Sequence, residues 1–234
     1  MLPIAYVDHV FRCIVVRRVN KFVAEVIFGD RKIEYAYINN TGRLDKLLSE
    51  GKIGFCQVKK RGKLRFRLFA IYDDGYGAIL DTMMQMRAFE KALELGAIPW
   101  LANCRVAKRN VRLGNSLIDY LLMCNLREVY LEVKSAVLRE GEYALYPDCL
   151  SLRGRRHIRE LIKSIELCDR CIILFIAALP NVSKFKPNNK VDSIIHSLLR
   201  KASKNGVEIK AIGMLFNPSD NFIYLYDPNL KVEL

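Results

Sequence analysis

Near Asp81 the hydrophobic pattern of this chain changes period. Upstream, apolar residues recur at every second position over short runs, residues 11–18, 22–28, 33–38, 53–58 and 64–72, with turns between them. Ile33, Tyr35 and Tyr37 fall on one face, and Leu64, Phe66 and Leu68 alternate with Arg65 and Arg67, as half-buried strands require. A short helix is expected at residues 44–48. Five strands and one small helix in about 70 residues predict a compact OB-like β-barrel of the oligonucleotide-binding type, with a plain sandwich as the alternative. Downstream, an amphipathic stretch over residues 84–95 stops at Gly96. Strands expected at 117–123, 129–136, 171–178, 207–214 and 222–226 then alternate with helices near 154–167 and 191–204. The prediction is a mixed α/β chain: a small barrel over residues 1–82, followed by a mixed-sheet domain over residues 83–234.

Several function classes drop out. The longest purely apolar run, residues 171–179, is stopped by Pro180, well short of the roughly 20 residues that span a bilayer. The start, Met1 to Asp8, lacks the charged, apolar and small-residue regions of a signal peptide, so no membrane partner and a cytoplasmic location are expected. Seven cysteines, at 13, 56, 104, 124, 149, 168 and 171, read as reduced, buried thiols rather than a disulfide framework. Cys168 and Cys171 have the spacing of half a zinc knuckle, but no second pair matches them. There is no Walker loop, dinucleotide fingerprint or Gly-x-Ser-x-Gly elbow, so no organic cofactor is expected. The formal charge of +13 divides as +6 over residues 1–82 (15 basic, 9 acidic) and +7 over residues 83–234 (23 basic, 16 acidic). An excess spread over both parts points to a polyanionic partner, most simply DNA.

Chemistry concentrates in two predicted strands. Alternation over residues 129–135 sends Tyr130, Glu132 and Lys134 to one face and Val129, Leu131 and Val133 to the other. Upstream, Asp119 is the acid in an otherwise apolar strand, and the short connection from Cys124 to Arg127 folds the two strands into a hairpin in which Asp119 can meet Glu132. Burying such charges is costly unless they pair with each other or bind a cation. One reading is a structural ion pair of Lys134 with Asp119 or Glu132. The other is a metal site, because an acid, then a hairpin, then an acid two residues before a lysine resembles the active-site pattern of PD-(D/E)XK nucleases. There, two carboxylates hold Mg²⁺ (or Mn²⁺) and the lysine helps position the attacking water.

A longer resemblance supports the second reading. Asn40-Thr-Gly-Arg43, Gly114-Asn-Ser-Leu-Ile-Asp119, Glu132-Val-Lys-Ser135, Tyr146-Pro-Asp-Cys-Leu-Ser-Leu-Arg-Gly-Arg-Arg-His157 and Gly206-Val-Glu-Ile209, in this order and spacing, resemble the sugar fermentation stimulation protein family over nearly the whole chain. The resemblance implies a DNA-binding protein with an N-terminal OB-like barrel, a C-terminal PD-(D/E)XK nuclease-like domain and a link to sugar metabolism. It also implies Asp119, Glu132 and Lys134 as the nuclease-like triad, Asp119 and Glu132 being the metal ligands. Two positions depart from the family pattern: Asn110 stands where it has an acid, and Leu117 where it has an arginine. The departures set binding alone against catalysis, since a lost carboxylate weakens metal binding and a lost arginine removes a planar phosphate donor.

Further candidates are ranged around this triad. Residues 152–167 read as a helix with Arg153, Arg156, His157 and Glu160 in one stripe, either a solvated basic face with His157 packed at its boundary or one wall of a cleft. The resemblance favours the cleft, with the arginines on phosphate and His157 assisting catalysis; Asp148, just before the helix, is expected to orient its start. In the barrel, Lys59, Lys60, Arg61, Lys63, Arg65 and Arg67 crowd one hairpin, a phosphate-tracking edge or merely a solvated tip. Asn40, Thr41 and Arg43 lie in a loop that can offer N–H groups and a cation to phosphate, or serve as a turn capped by Thr41. Three functions remain open on this reading: sequence-nonspecific DNA binding, Mg²⁺-dependent phosphodiester cleavage, and regulation through protein partners.

Overall fold

The computed structural model describes residues 1–29, 32–59 and 61–234, so Lys60 of the basic hairpin lies outside the described residues. After β1 (Leu2–Tyr6) come β2 (Val10–Asn20), β3 (Val23–Ile27), β4 (Ile33–Tyr37), β5 (Ile53–Val58) and β6 (Phe66–Asp73). β2 pairs antiparallel with β3 and with β5, β3 with β4, and β5 with β6. A parallel contact of Ala36 with Phe66 and Tyr37 with Arg67 joins β4 to β6 and closes the ring. Closure decides between the two expectations: the N-terminal part is an OB-like barrel, not a sandwich. Irregularities at Val15/Arg17 and Arg18/Asn20 bend β2 so that it can pair on both edges. Ala24 and Ala36, paired across β3 and β4, are fully buried, as are Val15 of β2, Val26 of β3 and Leu68 of β6.

The expected helix at 44–48 is a single turn. Leu47 and Leu48 N–H both donate to Leu44 O, at 2.9 and 2.8 Å, but Leu44 itself has φ 56, a left-handed conformation that cannot begin an α-helix.

A hairpin from β6 into β7 (Tyr76–Ile79) leads to α1 (Thr82–Glu94), capped by Asp81, whose carboxylate accepts from Met84 N–H at 2.8 Å. Then follow β8 (Cys104–Leu113), β9 (Ser116–Cys124), β10 (Arg127–Ser135), β11 (Leu138–Glu140), β12 (Tyr143–Tyr146), α2 (Leu152–Lys163), β13 (Arg170–Ala177) and β14 (Lys184–Pro187). The chain ends through α3 (Ser193–Lys204), β15 (Glu208–Asn217), β16 (Phe222–Asp227) and β17 (Lys231–Val232). The principal sheet runs β8-β9-β10-β13-β15, antiparallel as far as β10 and parallel from β10 to β15, so it is mixed as expected. β13 lies at its centre with Cys171 to Ala178 fully buried, which is why its sequence is apolar throughout rather than alternating. Phe216 of β15 pairs with Gly77 of β7, so the barrel sheet continues into the mixed one. At this seam a Cβ on Gly77 would lie 2.9 Å from the Phe216 ring. β11, β12, β14 and β17 form a second, smaller sheet.

Two cysteine pairs correct the expectation of free thiols. Cys104 is disulfide-bonded to Cys124, its direct partner across β8 and β9, and Cys168 to Cys171. Cys13, Cys56 and Cys149 are free. Among the described residues no helix is long and apolar enough to cross a membrane.

Candidate active site

The β9–β10 hairpin turns at Asn125 and Leu126, with φ 49 and 67, the left-handed pair whose twist matches that of the flanking strands. Its ladder is regular from Cys124 and Arg127 to Tyr120 and Leu131. Beyond that point side chains replace the ladder. Val133 N–H donates to Asp119 Oδ2 at 2.8 Å, and Asp119 N–H donates to Glu132 Oε2 at 3.3 Å. Each carboxylate thus satisfies a backbone donor of the opposite strand.

Glu132 and Lys134 share a face, as alternation predicts, and Lys134 Nζ donates to Glu132 Oε1. Ser151 starts α2 by accepting from Gly154 N–H at 3.1 Å, and the helix brings His157, 1% exposed, against the same oxygen through Nδ1. Arg153 Nε donates to His157 Nε2 at 3.3 Å. With Nε2 an acceptor, the imidazole proton sits on Nδ1 and points at Glu132.

The two acids are electrostatically unlike. Burial raises the Asp119 carboxyl, the negative Glu132 raises it further, and it reaches about 6. Burial also works to raise Glu132, but the Lys134 ammonium and the His157 hydrogen bond outweigh it and hold its carboxyl below the usual range. Burial works to lower Lys134, and Glu132 outweighs that in turn, so the ammonium is held charged. A compensated pair therefore stands beside an aspartate whose charge lacks a matched cation.

These groups open onto a cleft of about 670 Å³ whose other walls include Thr41 of the barrel, Arg87 and Glu90 of α1, Asn110 of β8 and Arg153 of α2. Glu90 was not expected from sequence. It accepts from Arg109 through both oxygens, at 2.7 and 2.6 Å, and from the Tyr120 hydroxyl at 2.8 Å. The guanidinium holds its carboxyl below the usual range. No local spacing links positions 90, 109 and 120, so nothing in the sequence pattern marked this trio.

Among the described residues no three His, Cys, Asp or Glu side chains gather as a metal set. Asp119 and Glu132 nevertheless fit Mg²⁺ or Mn²⁺, because such hard cations take one or two carboxylates and complete their shell with water and phosphate oxygens. Asp119 also has the uncompensated charge that a cation would neutralise.

The nucleic-acid candidates are divided among several places. Thr41 and Arg153 line the cleft, while Arg43 borders a separate hollow of about 360 Å³ with Lys46, Lys52 and Arg139. Asn40 braces its own loop: Nδ2 donates to Leu80 O at 3.0 Å and Oδ1 accepts from Gly42 N–H at 2.9 Å. Leu44 N–H donates to Asp148 Oδ2 at 3.1 Å, so the N–H groups of Gly42 and Leu44 have partners within the protein. Asp148 therefore anchors the barrel loop, and Ser151, not Asp148, starts α2. Lys59 Nζ lies 4.3 Å from the centre of the Tyr37 ring. From Tyr37 hydrogen bonds run through Asn39 to Asp81 at the start of α1, which joins the basic hairpin to the cleft rim. Arg61 and Arg156 are exposed, and neither lines the cleft.

Residues 16–80 match the family described as SfsA N-terminal OB domain, and residues 83–220 match Sugar fermentation stimulation protein RE domain. A sugar fermentation stimulation protein homolog from Pyrococcus furiosus is 51% identical over 218 residues, 93% of this chain and 94% of the relative. One from Archaeoglobus fulgidus is 43% identical over 226 residues, 97% of each. A solved structure described as Pyrococcus furiosus SfsA in complex with Ca²⁺ covers 100% of both chains with a TM-score of 0.96 and 47% identity. On these matches the chain belongs to the sugar fermentation stimulation protein family.

Proposed function

We propose that this protein binds DNA without sequence preference along the cleft and its basic approaches, and that Asp119 and Glu132 hold a divalent cation there for phosphodiester cleavage. The observation that carries this reading is the convergence of Asp119, Glu132, Lys134 and Arg153 on one cleft in a chain of net charge +13. The Ca²⁺ named for the Pyrococcus furiosus relative supports a cation. When bound, the cation would supply Lewis-acid polarisation of a phosphoryl oxygen. Lys134, fixed by Glu132, stabilises negative charge that develops on the scissile phosphate. His157 holds Glu132 in place through Nδ1, a positioning role, and Arg153 and Arg87 bind phosphate oxygens at the rim. A DNA substrate places this activity in the cytoplasm.

The test is an assay on plasmid and oligonucleotide DNA with Mg²⁺ or Mn²⁺, comparing wild type with Asp119→Ala, Glu132→Ala and Lys134→Ala. Cleavage should be lost in all three variants while DNA binding persists. One observation favours a second reading, a DNA clamp without cleavage: Glu132 Oε1 is already shared by Lys134 and His157. Salt-sensitive binding with no cleavage by wild type under either metal would establish that reading, and no binding at all would sink both. Regulation through protein partners has only the family name behind it.

A further inference from the structure

The hollow bordered by Arg43 has a fixed frame. One wall is the loop between β4 and β5, which is pinned through its carbonyls and through its N–H groups. Arg18 Nη1 donates to Gly42 O at 2.6 Å and to Arg43 O, and its Nη2 donates to Asn40 O at 3.3 Å. Leu44 N–H donates to Asp148 Oδ2. Left-handed Leu44 then redirects the chain, and the buried Leu44 and Leu47 line the hollow together with Val137, Leu138 and Leu179. A preformed space of about 360 Å³ with such an apolar lining and a few charged groups is at the small end of ligand pockets.

Its charges are not balanced. Arg139 is anchored: Nη2 donates to Asp73 Oδ2 and to Pro180 O, both at 2.6 Å, and Nη1 to Asn181 O at 3.4 Å. That pairing compensates Asp73. Arg43, Lys46 and Lys52 line the same hollow, and among the described residues none of the three side chains makes an ion pair or a hydrogen bond. Against them stand Asp45 and Asp148, and Asp148 is already bonded to Leu44 N–H. Unpaired like charges repel one another, and an anion that reaches several of them converts repulsion into charge-assisted hydrogen bonds. Among the described residues none lines both the hollow and the cleft of Asp119 and Glu132, so this is a second site.

We propose that the hollow binds a small organic phosphate: an anionic head on Arg43, Lys46 and Lys52, with the anchored Arg139 guanidinium beside them, and a compact apolar body against Leu44, Leu47 and Val137. The site is independent of the DNA and cation readings of the cleft. It shares with the cleft only the β4–β5 loop, which gives Thr41 to the cleft and Arg43 to the hollow.

Phenyl phosphate, inorganic phosphate and phenol are titrated by calorimetry into the full chain at low salt without DNA. The proteins are wild type, Lys46→Gln combined with Lys52→Gln, and Arg153→Ala, with circular dichroism confirming that each is folded. Phenyl phosphate should saturate a single site at least about tenfold more tightly than inorganic phosphate or phenol, because it alone uses both the cations and the apolar lining. The lysine variant should weaken it at least about tenfold by removing two charge-assisted donors. Arg153→Ala, which alters the cleft, should leave it unchanged. Phenyl phosphate binding no tighter than inorganic phosphate would overturn the assignment, since the apolar lining would then contribute nothing. Binding that survives the lysine changes and is lost in Arg153→Ala would put the anion in the cleft and equally sink the idea. So would the absence of saturable phenyl phosphate binding by folded wild type. If duplex DNA displaces phenyl phosphate and the lysine variant also has a lower salt slope for DNA, the hollow belongs to the DNA path and the assignment is wrong.

Discussion

Burial and the charge of Glu132 raise the Asp119 carboxyl to about 6, about two units above an unperturbed aspartate, so its ionisation costs the folded state on the order of 2–3 kcal/mol. Because the folded value lies above the unfolded one, the native state binds the extra proton. Stability from this group is complete below about pH 4, falls as pH rises to 6, and is level above that. Asp119→Asn should therefore melt close to wild type at pH 4 and higher than wild type at pH 8. Mn²⁺ should raise the melting temperature of wild type but not of the variant; equal melting at both pH values would contradict the raised carboxyl. Glu132 has the opposite character. Glu132→Ala leaves the buried ammonium of Lys134 without a partner and should cost about 3–5 kcal/mol in denaturant unfolding, with Glu132→Gln costing less because an acceptor remains. A loss under about 1 kcal/mol for the alanine variant would show that the pair is not held as described. The common face of Glu132 and Lys134 was legible from strand alternation, and so was the approach of Asp119. The Glu90, Arg109 and Tyr120 trio was not, because it exists only once α1 packs beside β8 and β9.

At the scale of elements, the loop between β4 and β5 walls the cleft through Thr41 and is held to the second part of the chain by Asp148. Gly42 is where the two approach most closely: a Cβ there would lie 2.3 Å from Asp148 Oδ2. Gly42→Ala should cost about 1–3 kcal/mol through this overlap. In a double-mutant cycle with Asp148→Ala, which removes the obstructing carboxylate, the losses should be less than additive. Strict additivity in chemical denaturation would show that the loop does not dock on Asp148. The β9–β10 hairpin and the buried β13 were readable because alternation, a short turn and an unbroken apolar run are local signals. β8 was not, since Ala107 shifts its register and left-handed Asn110 breaks its alternation again three residues later. The strands of the smaller sheet, each of two to four residues, are too short to show a period.

Across the whole molecule, the change of period near Asp81 and the even spread of charge were visible in the sequence, whereas the continuity of the barrel with the mixed sheet through Phe216 and Gly77 was not, because one ladder pair leaves no pattern. That continuity bears on how DNA would lie. Lys59 stacks on Tyr37, and the hydrogen bonds from Tyr37 through Asn39 to Asp81 lead to the start of α1, where Thr82 and Met83 line the cleft that also holds Arg153. A single DNA backbone following this path would meet the barrel cations first and the cleft cations after. Each phosphate contact contributes about 0.9 to the slope of log K against log salt for duplex DNA. Lys59→Ala with Arg61→Ala should lower the slope by up to about 1.8 on this scale, Arg153→Ala by about 0.9, and the triple variant by their sum, with affinity falling alike for unrelated sequences. Trimming the duplex should abolish the barrel contribution before that of Arg153 if both groups act along one strand. An unchanged slope in the Lys59 and Arg61 variant on duplexes of any length, with Arg153→Ala still lowering it, would mean that the basic hairpin is only a solvated tip and leave the cleft as the DNA contact.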